Sequence, residues 1–240
     1  MNLFPKSKKD SSYADAAVQN KKIPFAVVES YKAIRANLSF IISSSKNNVV
    51  VITSPNSGEG KSTTAVNMAI AFSQLGERVL LIDADMRRST LHKKLKTDNG
   101  GGLSNVLAGM TDLNSCIKQI NENLFFLPSG KIPPNPSELL GSPAFEKLLA
   151  TVSPAYSCVI IDTPPMNVVS DTLVAAPHTA GIVLVVRASR TQNDDIRHVI
   201  DAADFAGIKI LGAVVNGISQ SAKHGYSYKY KYSSKYYKSQ

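Results

Sequence analysis

The chain has 240 residues, 43% of them hydrophobic, and a formal net charge of +9, enough for one large α/β domain with short tails but not for a second full domain. Its two cysteines, Cys116 and Cys158, lie far apart and exclude a disulfide framework or a zinc spacing, and Cys158 in the apolar run SCVIID reads as a buried free thiol. No apolar stretch approaches the roughly 18–20 residues that span a bilayer, and the start has no apolar core suited to a signal peptide, so a cytosolic chain is expected whose membrane association comes from a partner or from charge.

Residues 1–26 carry Lys6, Lys8, Lys9, Lys21 and Lys22 and read as a flexible basic segment. Basic ends suit nucleic acid or anionic lipid, and equally a solvated terminus. Over 27–42, Val28, Tyr31, Ile34, Leu38 and Ile41 recur at helical spacing and predict an amphipathic helix. Its polar side presents Glu29, Lys32 and Arg35 at three-residue steps, which on spacing alone is an ordinary solvated face.

From residue 48 onward apolar runs alternate with helical patterns. Strands are expected near 48–54, 78–83, 124–128, 157–162, 181–187 and 208–215, with helices over 61–75, 143–151, 171–177 and 192–206. The runs VLLID, VIID and IVLVV are apolar at nearly every position, as in strands covered on both faces. The fold class is therefore α/β: a mostly parallel, doubly wound sheet flanked by helices, spanning 27–220. Such sheets bind ligands beyond the carboxyl ends of their strands, where residues 58–64, Asp83, Asp162 and Asn216 all fall.

The segment NVVVITSPNSGEGKSTT at 48–64 joins a buried strand to a glycine-rich turn and a helix, the context of a P-loop. Glycine at 58 and 60 lets backbone N–H groups approach phosphate oxygens, and the helix start adds unpaired amides and a positive dipole end. Ser57, Gly58, Glu59, Gly60, Lys61, Ser62 and Thr63 are thus the candidate ATP-binding residues, with Lys61 aimed at the β- and γ-phosphates and Ser62 at magnesium. Pro55 stands where the usual first glycine belongs. Two apolar strands end in carboxylates, Asp83-Ala84-Asp85 and Asp162, which suits a metal–water ligand and a proton acceptor beside a bound nucleotide. Asn216 after ILGAVV is read either as an adenine contact or as an Asn-Gly turn.

Jointly, SPNSGEGKSTT, VLLIDADMRR and VIIDTPP look like the Walker A, A′ and B segments of the deviant Walker ATPase superfamily, and IPPNPSELLGS at 132–142 looks like a further family segment. Over nearly the whole chain the pattern resembles the bacterial tyrosine kinases of capsule and exopolysaccharide synthesis. The partition and septum-positioning ATPases of that superfamily carry a signature lysine where this chain has Asn56, which favours the kinase reading over an ATPase switch or a nucleotide-sensing scaffold. The resemblance implies ATP and Mg2+ as cofactors, with Lys61, Asp83 and Asp85 as catalytic residues. Asp83 would take the tyrosine proton, and Ser62, Asp85 and Asp162 would hold the metal, the carboxylates through water. From the residues alone, base and metal roles remain interchangeable between Asp83 and Asp85.

The last 15 residues hold six of the nine tyrosines, Tyr226, Tyr228, Tyr230, Tyr232, Tyr236 and Tyr237, interleaved with lysines. Residues 221–240 are expected to be a disordered tail; stacking on nucleic-acid bases is the alternative use of such a pattern, and the disfavoured one. The resemblance implies a tyrosine cluster autophosphorylated in trans. It further implies a ring homo-oligomer, with an octamer as one candidate size, joined through Glu29, Lys32 and Arg35. The other implied partners are a membrane adaptor of the polysaccharide co-polymerase type that recruits the chain to the inner face of the plasma membrane, a protein-tyrosine phosphatase, and further protein substrates. Lysine at 32 departs from the family arginine and lacks its bidentate fork.

Overall fold

The computed structural model describes residues 24–45 and 47–218. The tail tyrosines and nearly all of the basic N-terminal segment lie outside the described residues.

Seven strands form one sheet: β1 Val49–Thr53, β2 Val79–Asp83, β3 Lys118–Gln119, β4 Leu124–Leu127, β5 Cys158–Asp162, β6 Gly181–Arg187 and β7 Ile210–Asn216. Their order is β3-β4-β2-β5-β1-β6-β7. Every neighbouring pair is parallel except β3 with β4. Alternation within the central strands feeds two separate cores, which is why nearly every position in them is apolar. Val49 and Val51 of β1 pack on one face with Phe145 and Leu149, whereas Val50 and Ile52 pack on the other with Met68 and Phe72.

The longer helices are α1 Phe25–Ser44, α2 Lys61–Ser73, α7 Pro143–Val152 and α9 Asn193–Phe205, close to the expected spans. The chain also forms one-turn helices α3 Leu91–Lys94, α4 Leu103–Leu107, α5 Leu113–Cys116, α6 Pro136–Leu140 and α8 Asp171–Ala175. Of these, only α8 falls where the hydrophobic pattern predicts a helix; the expected 171–177 helix tightens to a 3-10 turn over Ala176–His178, where Pro177 enters. Both cysteines are free and buried, Cys158 as expected. Among the described residues no helix is long and apolar enough to cross a membrane.

Arg35 departs from its expected place on the outer face of α1. Its Nη1 donates to the Ala71 carbonyl at 2.7 Å, satisfying an acceptor in the last turn of α2, which has no intrahelical partner. Glu29 and Lys32 do stay on the surface, paired with each other at 2.8 Å.

Candidate active site

The site lies at the carboxyl ends of β1, β2 and β5. The register sets Asp83 directly beside Asp162 across β2 and β5, and Ile52 beside Asp162 across β5 and β1. Two backbone bonds continue this alignment past the strand ends: Ala84 N donates to Asp162 O at 2.8 Å, and Thr163 N to Ile52 O at 3.1 Å. The turn after β1 is thereby held against the two carboxylate-bearing ends.

Gly58 and Gly60 adopt φ of +80° and +102°, a region that side chains strain to enter. Gly60 is also the residue ahead of α2, and no side chain caps that helix. The amides at 61–63 therefore have no intrahelical acceptor and form a cradle for an anion at the positive end of the helix. A Cβ on Gly60 would sit 2.5 Å from Asn216 Nδ2. Asn216 donates that nitrogen to Glu59 O at 3.1 Å and to Thr64 Oγ1 at 3.2 Å, so its amide group braces the loop from β7. Glu59 is also turned inward, accepting from Asn56 N at 2.9 Å and from Thr191 Oγ1 at 2.6 Å. Its side chain organises the loop, leaving phosphate contacts to the backbone. Thr63 is exposed and accepts from Lys94 Nζ at 3.0 Å.

Lys61 reaches across to the carboxylates. Its Nζ lies 2.7 Å from Asp85 Oδ2, 3.6 Å from Asp162 Oδ2 and 3.1 Å from Ser62 Oγ. Burial pulls the lysine pKa down, but Asp162 and Asp85 outweigh it and hold it above its ordinary value. Asp85 completes its bonding with Arg88 N at 3.0 Å. Asp83 is fully buried and accepts from Ser89 Oγ at 2.8 Å, Leu91 N at 3.3 Å and Asp85 N at 3.2 Å. Burial and the charge of Asp162 push Asp83 up to about 7. Burial likewise raises Asp162 to about 6, against the pull of Lys61 and of the Ser62 hydroxyl.

These two raised carboxylates set a pH dependence. Their contribution to stability is complete below the ordinary value near 3.8 and is lost as pH rises through about 6 and about 7. Without nucleotide or magnesium, the calorimetric melting temperature is expected to fall between about pH 4 and about pH 7. Saturating magnesium and ATP should flatten that fall, because cations then meet the ionised carboxylates. A melting temperature that climbs over this range would refute the assignment of strain to Asp83 and Asp162.

No group of three or more His, Cys, Asp or Glu forms a metal-holding cluster among the described residues. A magnesium ion that keeps most of its waters and leans on nucleotide phosphates needs no such cage. Asp162 Oδ1 is buried with no hydrogen-bond partner, an orphaned oxygen beside Ser62 and Lys61 that a metal-bound water would satisfy. The donor set fits magnesium.

Two other groups at the site belong to no motif in the sequence. Arg187 Nη1 donates to Gly58 O at 3.3 Å and Arg190 Nη2 to Ser57 O at 3.4 Å, laying two guanidinium groups along the outside of the loop. Arg87, just past Asp85, makes a two-pronged contact with buried Asp171 at 2.9 and 3.0 Å, and Ser137 donates to the same carboxylate. The IPPNPSELLGS segment is tied in this way to the chain that follows β2. The cue for Arg187 was its position ending a strand, and for Thr191 its place in the loop that follows.

Residues 47–201 match a family described as an AAA domain. The tyrosine-protein kinase YwqD of Bacillus subtilis is 39% identical over 201 residues, 82% of this chain and 85% of that protein. The chain belongs to the bacterial tyrosine-protein kinases. The solved kinase domain of the Escherichia coli tyrosine kinase ETK superposes with a TM-score of 0.82 at 32% identity, covering 93% of this chain and 87% of that one. The septum site-determining protein MinD of Pyrococcus horikoshii, solved with Mg-ADP, is 25% identical with a TM-score of 0.61, over 72% of each chain. Family membership and the P-loop NTPase fold thus agree with the kinase resemblance drawn from the three Walker-like segments.

Proposed function

We propose that this chain transfers the γ-phosphoryl group of ATP to tyrosine, acting in trans on the tyrosines at 226–237 and on other proteins, in the control of capsule or exopolysaccharide synthesis and export. The observation that carries the reading is the convergence of Lys61, Asp83, Asp85 and Asp162 beside an uncapped helix start, in a chain of this family.

The amides at 61–63 and the Lys61 ammonium bind the phosphate oxygens and neutralise charge on the group in transfer. Ser62, with Asp85 and Asp162 through water, would hold magnesium, which supplies further charge neutralisation when bound. Asp83 is the base. A tyrosine hydroxyl with an ordinary pKa near 10 keeps its proton at neutral pH, and a carboxylate raised to about 7 is matched to accept it. The phenol oxygen bonds to the γ-phosphorus as the bond from that phosphorus to the β-phosphate bridging oxygen breaks. The proton passes to Asp83 and ADP leaves. Asn216 braces the loop throughout, and its side-chain carbonyl remains the part of it that would meet adenine.

Self-assembly through α1 is the proposed route by which a tail reaches a neighbouring site. The exposed Glu29–Lys32 pair and the exposed rings of Phe25 and Phe40 offer surface for it, while Arg35 secures α1 to its own α2. A ring, a membrane adaptor that recruits the chain from the cytoplasm, and a phosphatase that resets it complete the proposal. Each phosphotyrosine adds about −1.5 to −2, so six add roughly −9 to −12 and reverse the charge of a tail carrying five lysines.

Deleting residues 225–240 is expected to abolish self-labelling from labelled ATP while leaving ATP binding intact. In the full chain, labelling should lower the assembly mass seen by light scattering. Undiminished labelling of the truncated chain would remove the tail as main acceptor, and an unchanged mass would remove the charge switch.

A further inference from the structure

Asp83 is held by a side-chain relay that no part of the mechanism above uses. Ser89 Oγ donates to Asp83 Oδ2 at 2.8 Å and lies 2.9 Å from His92 Nδ1. A hydroxyl has one proton, and with that proton committed to the carboxylate Ser89 can only accept from the imidazole. With Asp83 ionised, as a base must be before it takes a proton, the hydrogen of His92 therefore sits on Nδ1. Local structure explains the meeting: the chain turns back after Asp85 into the one-turn helix α3, and Ser89 and His92 stand three residues apart across its start. The Leu91 amide of the same turn reaches Asp83 Oδ2 at 3.3 Å. His92 is half-buried, and its pKa is pulled down by burial and by Lys93 and Lys118, against the opposing charge of Asp98.

We propose that Ser89 and His92 are positioning residues for phosphotransfer: the imidazole fixes the rotamer of the Ser89 hydroxyl, and that hydroxyl fixes the Asp83 carboxylate toward the incoming phenol. The proposal rests on Asp83 being the base. Without the imidazole the hydroxyl is free to rotate off the carboxylate; without the hydroxyl, Oδ2 keeps only the backbone amide of Leu91. Neither side chain is needed for the amide cradle at 61–63, so nucleotide binding and base orientation are separable.

The test uses the full 240-residue chain, under conditions in which the wild type labels its own tail. Ser89→Ala and His92→Leu are each expected to lower kcat for tyrosine phosphorylation about tenfold, with KM for ATP changed by less than about twofold. The double variant should be no slower than Ser89→Ala, because both act on one path. His92→Asn, whose side-chain amide can place a donor where Nδ1 stands, should recover most of the loss. Wild-type kcat in Ser89→Ala, multiplying effects in the double variant, His92→Asn as slow as His92→Leu, or a loss of ATP affinity matching the loss of kcat would each overturn the assignment. Asp83→Asn run in parallel separates the two levels: an active Asp83→Asn removes Asp83 as base, whereas an inactive one beside a fully active Ser89→Ala removes the positioning pair alone.

Discussion

Lys61→Met is expected to reduce tyrosine phosphorylation by about a thousandfold or more while the sheet remains folded. Two effects combine. The ammonium that would meet the γ-phosphate is gone, and loss of one such preorganised contact costs about 100- to 1,000-fold by itself. Lys61 is also the cation 2.7 Å from Asp85 and 3.6 Å from Asp162, and its charge is what opposes the raised pKa of Asp162. Without it Asp162 holds its proton more tightly, and metal binding weakens with catalysis. Lys61→Arg tests the geometry separately. It keeps the charge, but a planar fork does not fit a site shaped for a compact ammonium between two carboxylates, so it too should be severely slowed. Phosphate incorporation per chain, measured with labelled ATP, reads both variants; tail labelling by Lys61→Met at the wild-type rate would refute the site.

Gly60→Ala is expected to cost about 1–3 kcal/mol of backbone strain and to weaken ATP binding about ten- to a hundredfold. At φ of +102° an alanine is strained whatever space surrounds it, and here its Cβ would stand 2.5 Å from Asn216 Nδ2. Relief means moving Asn216 away from Glu59 O and Thr64 Oγ1, which loosens both the loop and the first turn of α2. Gly76→Ala is the matched control: φ is +79°, and nothing lies within 4 Å of the added carbon. It should lower the melting temperature and leave ATP affinity unchanged. Equal ATP affinity for Gly60→Ala and the wild type by titration calorimetry would show that the loop geometry is not what binds.

The central strands were legible because they are buried on both faces. Runs such as VVVIT, VLLID and CVIID carry no polar position before their last residue, and Gly181–Arg187 falls on the expected span to the residue. The short elements α3 to α6 were not, since four or five residues complete barely one helical turn and show no periodicity. Strand β3 is two residues long and pairs antiparallel with β4, a contact that no alternation in Lys118–Gln119 announces.

At the site, Lys61, Asp83, Asp85 and Asp162 were readable because each follows directly from a strand end or a helix start, where local pattern and location coincide. Bracing contacts were not. Thr191 meets Glu59 across 132 residues of chain and Asp171 meets Arg87 across 84, pairings that exist only once the layers pack. Arg35 makes the same point in reverse. Its three-residue step from Lys32 marks a shared helix face, but the side chain lies where the end of α2 leaves a carbonyl without a partner. Spacing reports which face a residue belongs to; it does not report which neighbour offers the better bond.

The kinase account is tested most directly by mass spectrometry of the full chain after incubation with magnesium and ATP, with released inorganic phosphate measured alongside. It predicts phosphate on tyrosines between Tyr226 and Tyr237 in the wild type and none in Lys61→Met. Steady release of inorganic phosphate with every tyrosine unmodified, the behaviour of an ATPase switch, would contradict it.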